Sequence, residues 1–342
     1  MSIYEKYTQL NLIGQGSFGK VYKVQCKTDN QIYAMKEINY GTMKEKEKQL
    51  LVSEVNLLRK LDHESIVKYV DRFQDKNNTT IYLVMEFCGA GDLSKYIKQC
   101  QQAHKYIEED QIWSVFIQIL NAVNYCHNPP ASSQLPHTLI NRDLKPANIF
   151  LSDQSTIKVG DFGLCRLLEE NQIAKTNVGT PLYMAPELLL NTPYNEKVDI
   201  WSLGCILYEM ATLQPPYVAS SMESLKLKVE RGLRPLLAKH YSENLRKTID
   251  IMLQKDPAKR PSAMDIIKLP WIKDMLTQIQ NAKNPSANAV EADTNMLLSP
   301  LIEHPVRDER EKNIRERENT LNAKEAELRR KCAALGLVYE EI

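Results

Sequence analysis

NRDLKPANIF, residues 141–150, and KVGDFG, residues 158–163, are the two stretches on which the reading of this chain turns. The first sets Asp143, Lys145 and Asn148 at fixed offsets around Pro146, whose ring restrains φ and removes a backbone donor. The second places Asp161 eighteen positions after Asp143. Two carboxylates, an amide and an ammonium around one point need a scaffold on which distant segments converge. The plain alternative is an Asp-rich turn, and the flanking sequence decides between them.

Upstream, the chain alternates apolar and polar residues from Tyr7 to about Tyr40 in short runs rich in Val, Ile and Tyr, with a Thr28-Asp29-Asn30 turn signal. This pattern predicts a strand meander. Residues 44–61 change to helical spacing, with Leu50, Leu51, Val55, Leu58 and Leu61 on one face behind a charged run, Lys44 to Lys48. IVKYVDRF and TTIYLVMEF return to strand character. Beyond Gly91 the pattern is mostly helical, with helices expected over 110–126, 197–212, 222–230 and 243–254. The expected class is therefore α+β: a β-rich lobe over 1–88 and an α-rich lobe over 89–275, then a polar linker over 276–306 and a charged helix over 307–338.

The composition excludes several classes. Of 342 residues, 43% are hydrophobic and 25% charged, as in ordinary globular proteins. Lys and Arg number 44 against 43 Asp and Glu, which leaves no basic excess to coat a phosphate backbone, so nucleic acid is not an expected partner. Seven cysteines without a CxxC pair read as reduced thiols. MSIYEKYTQL is not the start of a secretory signal, Ser2 argues against N-myristoylation, and WSLGCILYEMATL is interrupted by Glu209 and too short to span a bilayer. No membrane association is expected.

GQGSFGKV, residues 14–21, contains a GxGxxG pattern that also occurs in dinucleotide-binding turns. Those turns open a helix, whereas here KVYKVQ continues as an alternating strand. The segment is therefore expected to be a hairpin whose backbone amides can lie over phosphates, with Phe18 at the tip. On the next strand, IYAMK, Lys36 supplies a point charge able to reach phosphate oxygens. Its expected partner is Glu54, with Glu45 and Glu47 as alternatives and a solvated surface lysine as the plain reading. Combined with Asp143, Lys145, Asn148 and Asp161, this inventory suits phosphoryl transfer, where catalysis is mainly positioning and charge neutralisation. Asp161 and Asn148 offer oxygen ligands to Mg²⁺, Asp143 accepts the proton of an attacking hydroxyl, and Lys145 steadies the transferred phosphate.

On GQGSFGKV, YAMK, NRDLKPAN, DFG at 161–163 and APE at 185–187, the chain resembles the eukaryotic protein kinases from residue 7 to about 275. DxKPxN and GTPLYMAPE resemble the serine/threonine class. EKQLLVSEVNLLRKLDHESIVKYVDR, NNTTIYLVMEFCGAGDL, KVGDFGLCR and the insert HNPPASSQLPHTLI resemble the NIMA-related (Nek) kinases, in particular their centrosomal and mitotic branch. The resemblance implies a bilobal kinase fold that uses ATP and Mg²⁺ on protein substrates. The implied ATP site is Ile13, Gly14, Gln15, Gly16, Ser17, Phe18, Gly19, Val21, Ala34, Lys36, Glu54, Met85, Glu86, Cys88 and Phe150. Met85 would gate the adenine pocket, with Glu86 and Cys88 offering hinge backbone groups. It further implies that Arg260 pairs with Glu187 and that Asp199 braces the catalytic loop. The implied locations are the cytoplasm, the cytoskeleton with its centrosome or basal body, or the nucleus.

One departure stands out: the usual HRD reads Asn141-Arg142-Asp143. In the family the histidine packs under the DFG phenylalanine, so the shorter amide is expected to loosen the coupling of Phe162 to the catalytic loop. Every group that contacts phosphate or metal is nevertheless in place. A nucleotide-binding pseudokinase scaffold acting through the helical tail is the alternative reading. Arg142 is a permanent cation that calls for an anion, and phosphorylated Thr176 is the preferred source over Thr180, whose hydroxyl is expected on Asp143 and Lys145. Ala147 argues against a strict basic motif in the substrate. Cys165 reads as an inert buried thiol, and His63, His127 and His137 show no metal spacing and are given no chemistry. In the tail, residues 307–331 are charged at 16 of 25 positions. Ile314, Leu321, Leu328 and Leu335 recur every seven residues, although Arg317, Lys324 and Lys331 occupy the companion seam. Either a homodimer seam or a solvated helix with one apolar stripe fits that pattern.

Overall fold

The alternation read from Tyr7 onward becomes a five-stranded antiparallel sheet: β1 (Tyr7–Gly16), β2 (Gly19–Cys26), β3 (Ile32–Asn39), β4 (Tyr69–Gln74) and β5 (Thr80–Glu86), in the order β1-β2-β3-β5-β4. These elements come from a computed structural model that describes residues 3–16, 19–41, 43–75, 79–133, 135, 138–152, 156–160 and 181–283. A short helix α1 (Ile3–Lys6) precedes the sheet, and α2 (Glu45–Leu58) follows β3, close to the expected 44–61. One sheet face closes over Tyr7, Val24, Cys26, Met35 and Val84, with Ile3 beneath and Phe73 edge-on to Tyr7 at 5.7 Å between ring centres. Burying such side chains stabilises a lobe by roughly 1.5–3 kcal/mol each.

The second lobe is helical: α3 (Leu93–Gln102), α4 (Glu109–His127), α5 (Pro186–Leu189), α6 (Lys197–Thr212), α7 (Met222–Arg231), α8 (Glu243–Met252), α9 (Ala263–Ile267) and α10 (Pro270–Lys283). Side chains fix several starts: Asp92 accepts the Lys95 N–H, Ser221 the Ser224 N–H and Ser242 the Leu245 N–H, and Ser262 forms a reciprocal capping box with Asp265. Every residue of α6 from Val198 to Ala211 is buried. A helix buried on all sides belongs at the centre of its lobe, and α4 and α8 pack directly against α6.

Two differences from the sequence reading have simple causes. Helix α3 was not anticipated, although Asp92 caps it and Leu93, Tyr96, Ile97 and Cys100 fall on one face. The linker expected from residue 276 does not begin there, because α10 continues through Lys283: Gln, Asn and Lys are tolerated on a solvated helix face, so polarity alone does not exclude helix. Residues 284–306 of that linker and the 307–338 helix lie outside the described residues, as do Ser17, Phe18, His137, Asp161, Phe162, Cys165, Thr176 and Thr180. Among the described residues Cys26, Cys100, Cys126 and Cys205 carry thiols outside any disulfide, and no described helix is long and apolar enough to cross a membrane.

Candidate active site

The glycine-rich segment is a hairpin, with Gly16 opposite Gly19, Gln15 opposite Lys20 and Gly14 opposite Val21. Gly19 has φ +137°, and a Cβ there would lie 1.8 Å from the carbonyl oxygen of Glu37 on β3, so the hairpin closes against the sheet only with glycine. The β2–β3 register sets Val21 beside Lys36, and the β3–β5 register sets Ala34 beside Met85 and Lys36 beside Leu83. Lys36 is 7% exposed, which removes the plain reading of a solvated surface lysine. Ala34 and Met85 are also buried, while Ile13 on β1 is 43% exposed. Glu54 lies on α2, where the backbone alone is described.

At the end of β5, the Glu86 N–H is committed to the Lys68 carbonyl at 2.9 Å, so the group it can offer a nucleotide base is its carbonyl. Its carboxylate accepts the Lys68 N–H at 3.2 Å and pairs with Lys158 at 3.0 Å. Cys88, two residues on, is partly exposed.

The catalytic-loop candidate is a turn closed by Pro146–Asn148, one turn of 3₁₀ helix, leading into the hairpin β6 (Ile149–Leu151) and β7 (Ile157–Val159). Val159 donates to the Ser65 carbonyl and accepts from the Val67 N–H, which ties this hairpin to the segment entering β4. Gly160 follows, and a Cβ there would meet the Phe150 ring at 2.5 Å, so only glycine lets the chain pass that ring.

Within the loop the Asp143 carboxylate receives the Lys145 ammonium on both oxygens (2.8 and 2.7 Å) and the Asn148 amide on Oδ2 (2.8 Å). Asn148 Nδ2 also donates to the Asp143 carbonyl at 2.9 Å. With its amide hydrogens turned to Asp143, Asn148 keeps Oδ1 as the group it can offer elsewhere. That hard oxygen donor fits Mg²⁺. The side chains of Asp143 and Lys145 are 22% and 38% exposed, so this ion pair is open to an incoming group.

The loop is held from below by Asp199 of α6, itself wholly buried. Asp199 Oδ2 accepts the Asn141 N–H and Oδ1 the Arg142 N–H, each at 2.8 Å. A third partner is His127, the last residue of α4, whose Nε2 lies 2.8 Å from Asp199 Oδ2. His127, given no chemistry from the sequence, thus has a structural part here: it braces the brace. Arg142 sits at φ +67°, a left-handed conformation that is sterically unfavourable for a long side chain. Its guanidinium lies over the Tyr194 ring, 5.0 Å from the centroid. The expected anion for Arg142 depends on Thr176, which is outside the described residues.

Elsewhere in the lobe Arg260 and Glu187 form a fork-to-fork pair, Nη1 to Oε1 at 2.8 Å and Nη2 to Oε2 at 3.2 Å, with side chains 0% and 4% exposed. Arg260 also donates to the carbonyls of Lys197 and Gln254 and lies over Trp201. A further carboxylate, which in the sequence only interrupts an apolar run, also finds a partner. Glu209 of α6 accepts the Tyr183 hydroxyl at 2.6 Å, and burial pushes its carboxyl up to about 6, partly offset by that hydrogen bond. A single acid inside WSLGCILYEMATL was the available signal, since a buried carboxylate needs a donor.

Comparison with known proteins agrees with this geometry. The protein kinase domain model matches residues 7–272. The probable serine/threonine-protein kinase nek2 of Dictyostelium discoideum is 44% identical over 268 residues, 78% of this chain and 63% of that protein. The serine/threonine-protein kinase Nek2 of Mus musculus is 42% identical over 332 residues, 95% of this chain and 74% of that protein. The G2-specific protein kinase nimA of Emericella nidulans is 39% identical over 295 residues, 81% of this chain and 42% of that protein. The chain thus spans less than two thirds of the first and third of these relatives.

Proposed function

The chain belongs to the protein kinase family and, within it, to the NIMA-related serine/threonine kinases, and from that premise we propose that loop 141–148 transfers the γ-phosphate of ATP to serine or threonine hydroxyls of proteins. Kinases of this family use ATP with Mg²⁺. The observation that carries the proposal is the partly exposed Asp143 carboxylate, gripped by Lys145 and Asn148 above a backbone clamped by buried Asp199.

Asp143 Oδ1 or Oδ2 orients the substrate hydroxyl and takes its proton, a task for which an exposed carboxylate in a fixed turn is suited. Lys145, already on Asp143, turns part of its charge to the transferred phosphoryl group as it approaches the hydroxyl. Asn148 Oδ1 and the Asp161 carboxylate would hold Mg²⁺, which when bound would neutralise charge on the phosphate oxygens. Lys36, with Glu54 as its proposed partner, would orient the phosphates beneath the Gly14–Gly19 hairpin, and Ala34, Val21, Ile13, Phe150 and Met85 would line the adenine site. Arg142 receives a phosphate on Thr176. Asn141 favours a scaffold without turnover only if a histidine is needed there, and no proton in the scheme passes through that position.

The G2-specific name of the Emericella nidulans relative supports a role in cell-cycle control; placement at the cytoskeleton or centrosome is our reading of the sequence resemblance alone. The heptad spacing of Ile314, Leu321, Leu328 and Leu335 supports self-association through 307–338. Light scattering on a chain ending at residue 283 tests that contact, and an unchanged mass would remove it. For the activity, radiolabelled ATP and a generic protein acceptor should give labelled phosphoserine or phosphothreonine with the wild-type chain and none with Asp143→Ala or Lys36→Met. Equal signals in all three would end the proposal.

A further inference from the structure

Asn141 is wholly buried, and a buried amide is tolerated when both its donor and its acceptor are engaged. Its Oδ1 accepts the Asp143 N–H at 3.0 Å, closing a side-chain turn over the intervening residue, and its Nδ2 makes a longer contact of 3.5 Å to the Gly160 carbonyl. Gly160 donates its N–H to the Asn148 carbonyl at 2.9 Å. Asn148 Nδ2 returns to the Asp143 carbonyl and carboxylate at 2.9 and 2.8 Å. The four residues close a ring of hydrogen bonds, from Asn141 to Gly160 to Asn148 to Asp143 and back.

That ring joins the two halves of the site. Asp143 and Asn148 belong to the loop, and Gly160 is the residue immediately before Asp161. The residue spanned by the Asn141 turn is Arg142, the one at φ +67°, so the amide bond closes the turn at its strained point. Asp199 fixes the same two residues through their N–H groups alone and makes no contact with Asp143 N–H. The Asn141 side chain supplies what Asp199 does not, a direct grip on the residue that carries the base.

Resting on the kinase reading above, we infer that Asn141 is a positioning residue for phosphoryl transfer: its amide aims Asp143 and couples that aim to the segment entering Asp161. The departure from HRD therefore leaves the loop with an amide support of its own. The coupling to Phe162 itself lies outside the described residues.

The test is steady-state kinetics on Asn141→Ala and Asn141→Leu, which remove both amide contacts, and on Asn141→Asp, which keeps the acceptor for the Asp143 N–H. Ala and Leu should lower kcat by about tenfold or more while the KM for MgATP changes by less than about twofold, since misaiming a base slows the chemical step without removing nucleotide contacts. Asn141→Asp should recover a clear part of the lost kcat. Where either Ala or Leu does not fold, the other carries the readout. Wild-type kcat in the folded variant would overturn the inference, as would loss of kcat and nucleotide binding in equal proportion, or an Asp variant no better than Ala. An inactive wild-type chain would instead bring down the kinase reading, which keeps the two failures apart.

Discussion

Two ion pairs in the helical lobe are built from similar parts and differ in surroundings. Asp143–Lys145 and Glu187–Arg260 each pair a carboxylate with a cation through two hydrogen bonds of ordinary length. The first is partly open to solvent, while the second is sealed at 0% and 4% exposure and surrounded by the carbonyls of Lys197 and Gln254 and the Trp201 ring. A sealed pair cannot exchange partners without leaving a bare charge in the interior, so it can only hold elements together, here the turn at α5 to the segment before α9. An open pair can release its cation to an arriving anion at little cost, which is what a site of group transfer requires.

Substitution should split the pairs along this line. The largest effect is expected for Asp143→Asn, which keeps the shape and the Asn148 contact but removes the proton acceptor. Transfer should fall by about 10²–10⁴ with thermal unfolding nearly unchanged. A melt shifted as far as that of an Arg260 variant would erase the distinction. Arg260→Ala should behave in the opposite way, losing roughly 3–5 kcal/mol in urea unfolding because Glu187 is left buried and unpaired, while the molecules that remain folded keep their turnover. Arg260→Lys should restore little of this, since an ammonium cannot reproduce the fork.

Glu209 sharpens the comparison, being a buried carboxylate with a neutral donor. Its folded value near 6 lies above the unfolded value of 4.5, so the folded state holds the proton more tightly between those limits. Stability from this group is therefore greatest below about pH 4.5 and declines as pH rises through about 6, leaving a burden of about 2 kcal/mol at neutral pH. Glu209→Gln should remove that burden, retain an acceptor for the Tyr183 hydroxyl, and flatten the pH dependence of the melting temperature across that window. An unaltered pH slope would show the carboxyl to be ordinary. The smallest effect is expected for Lys247→Ala, which breaks the exposed 3.5 Å contact to Glu243 on α8 and should alter stability by less than about 0.5 kcal/mol.

How much of this could be read from the sequence follows from how the information is carried. Lys36 on its strand, Asp143 and Asn148 in their loop and the two-lobed order were legible because local spacing and turn chemistry encode them. The Glu187–Arg260 and Asp199 contacts were legible only through family resemblance, because the partners lie 73 and 57 to 58 residues apart and no local rule joins them. His127 was missed for the same reason: a histidine ending an amphipathic helix looks like a surface group until α6 places Asp199 beside it. At Asn141 the shorter side chain is visible in the sequence, whereas its hydrogen bonds to the Asp143 N–H and the Gly160 carbonyl are not, because they depend on how the loop folds. The helical state of residues 276–283 was hidden by polar residues that a solvated helix accepts as readily as a linker does.

The most direct test of the central claim is a single-turnover transfer measurement on Asp143→Asn beside the wild-type chain, with binding of MgATP and the thermal midpoint determined on the same samples. The expected result is a folded variant that binds nucleotide as the wild type does and transfers almost no phosphate. Transfer at the wild-type rate by that variant would contradict the assignment of Asp143 as the base and the distinction between the open and the sealed pair.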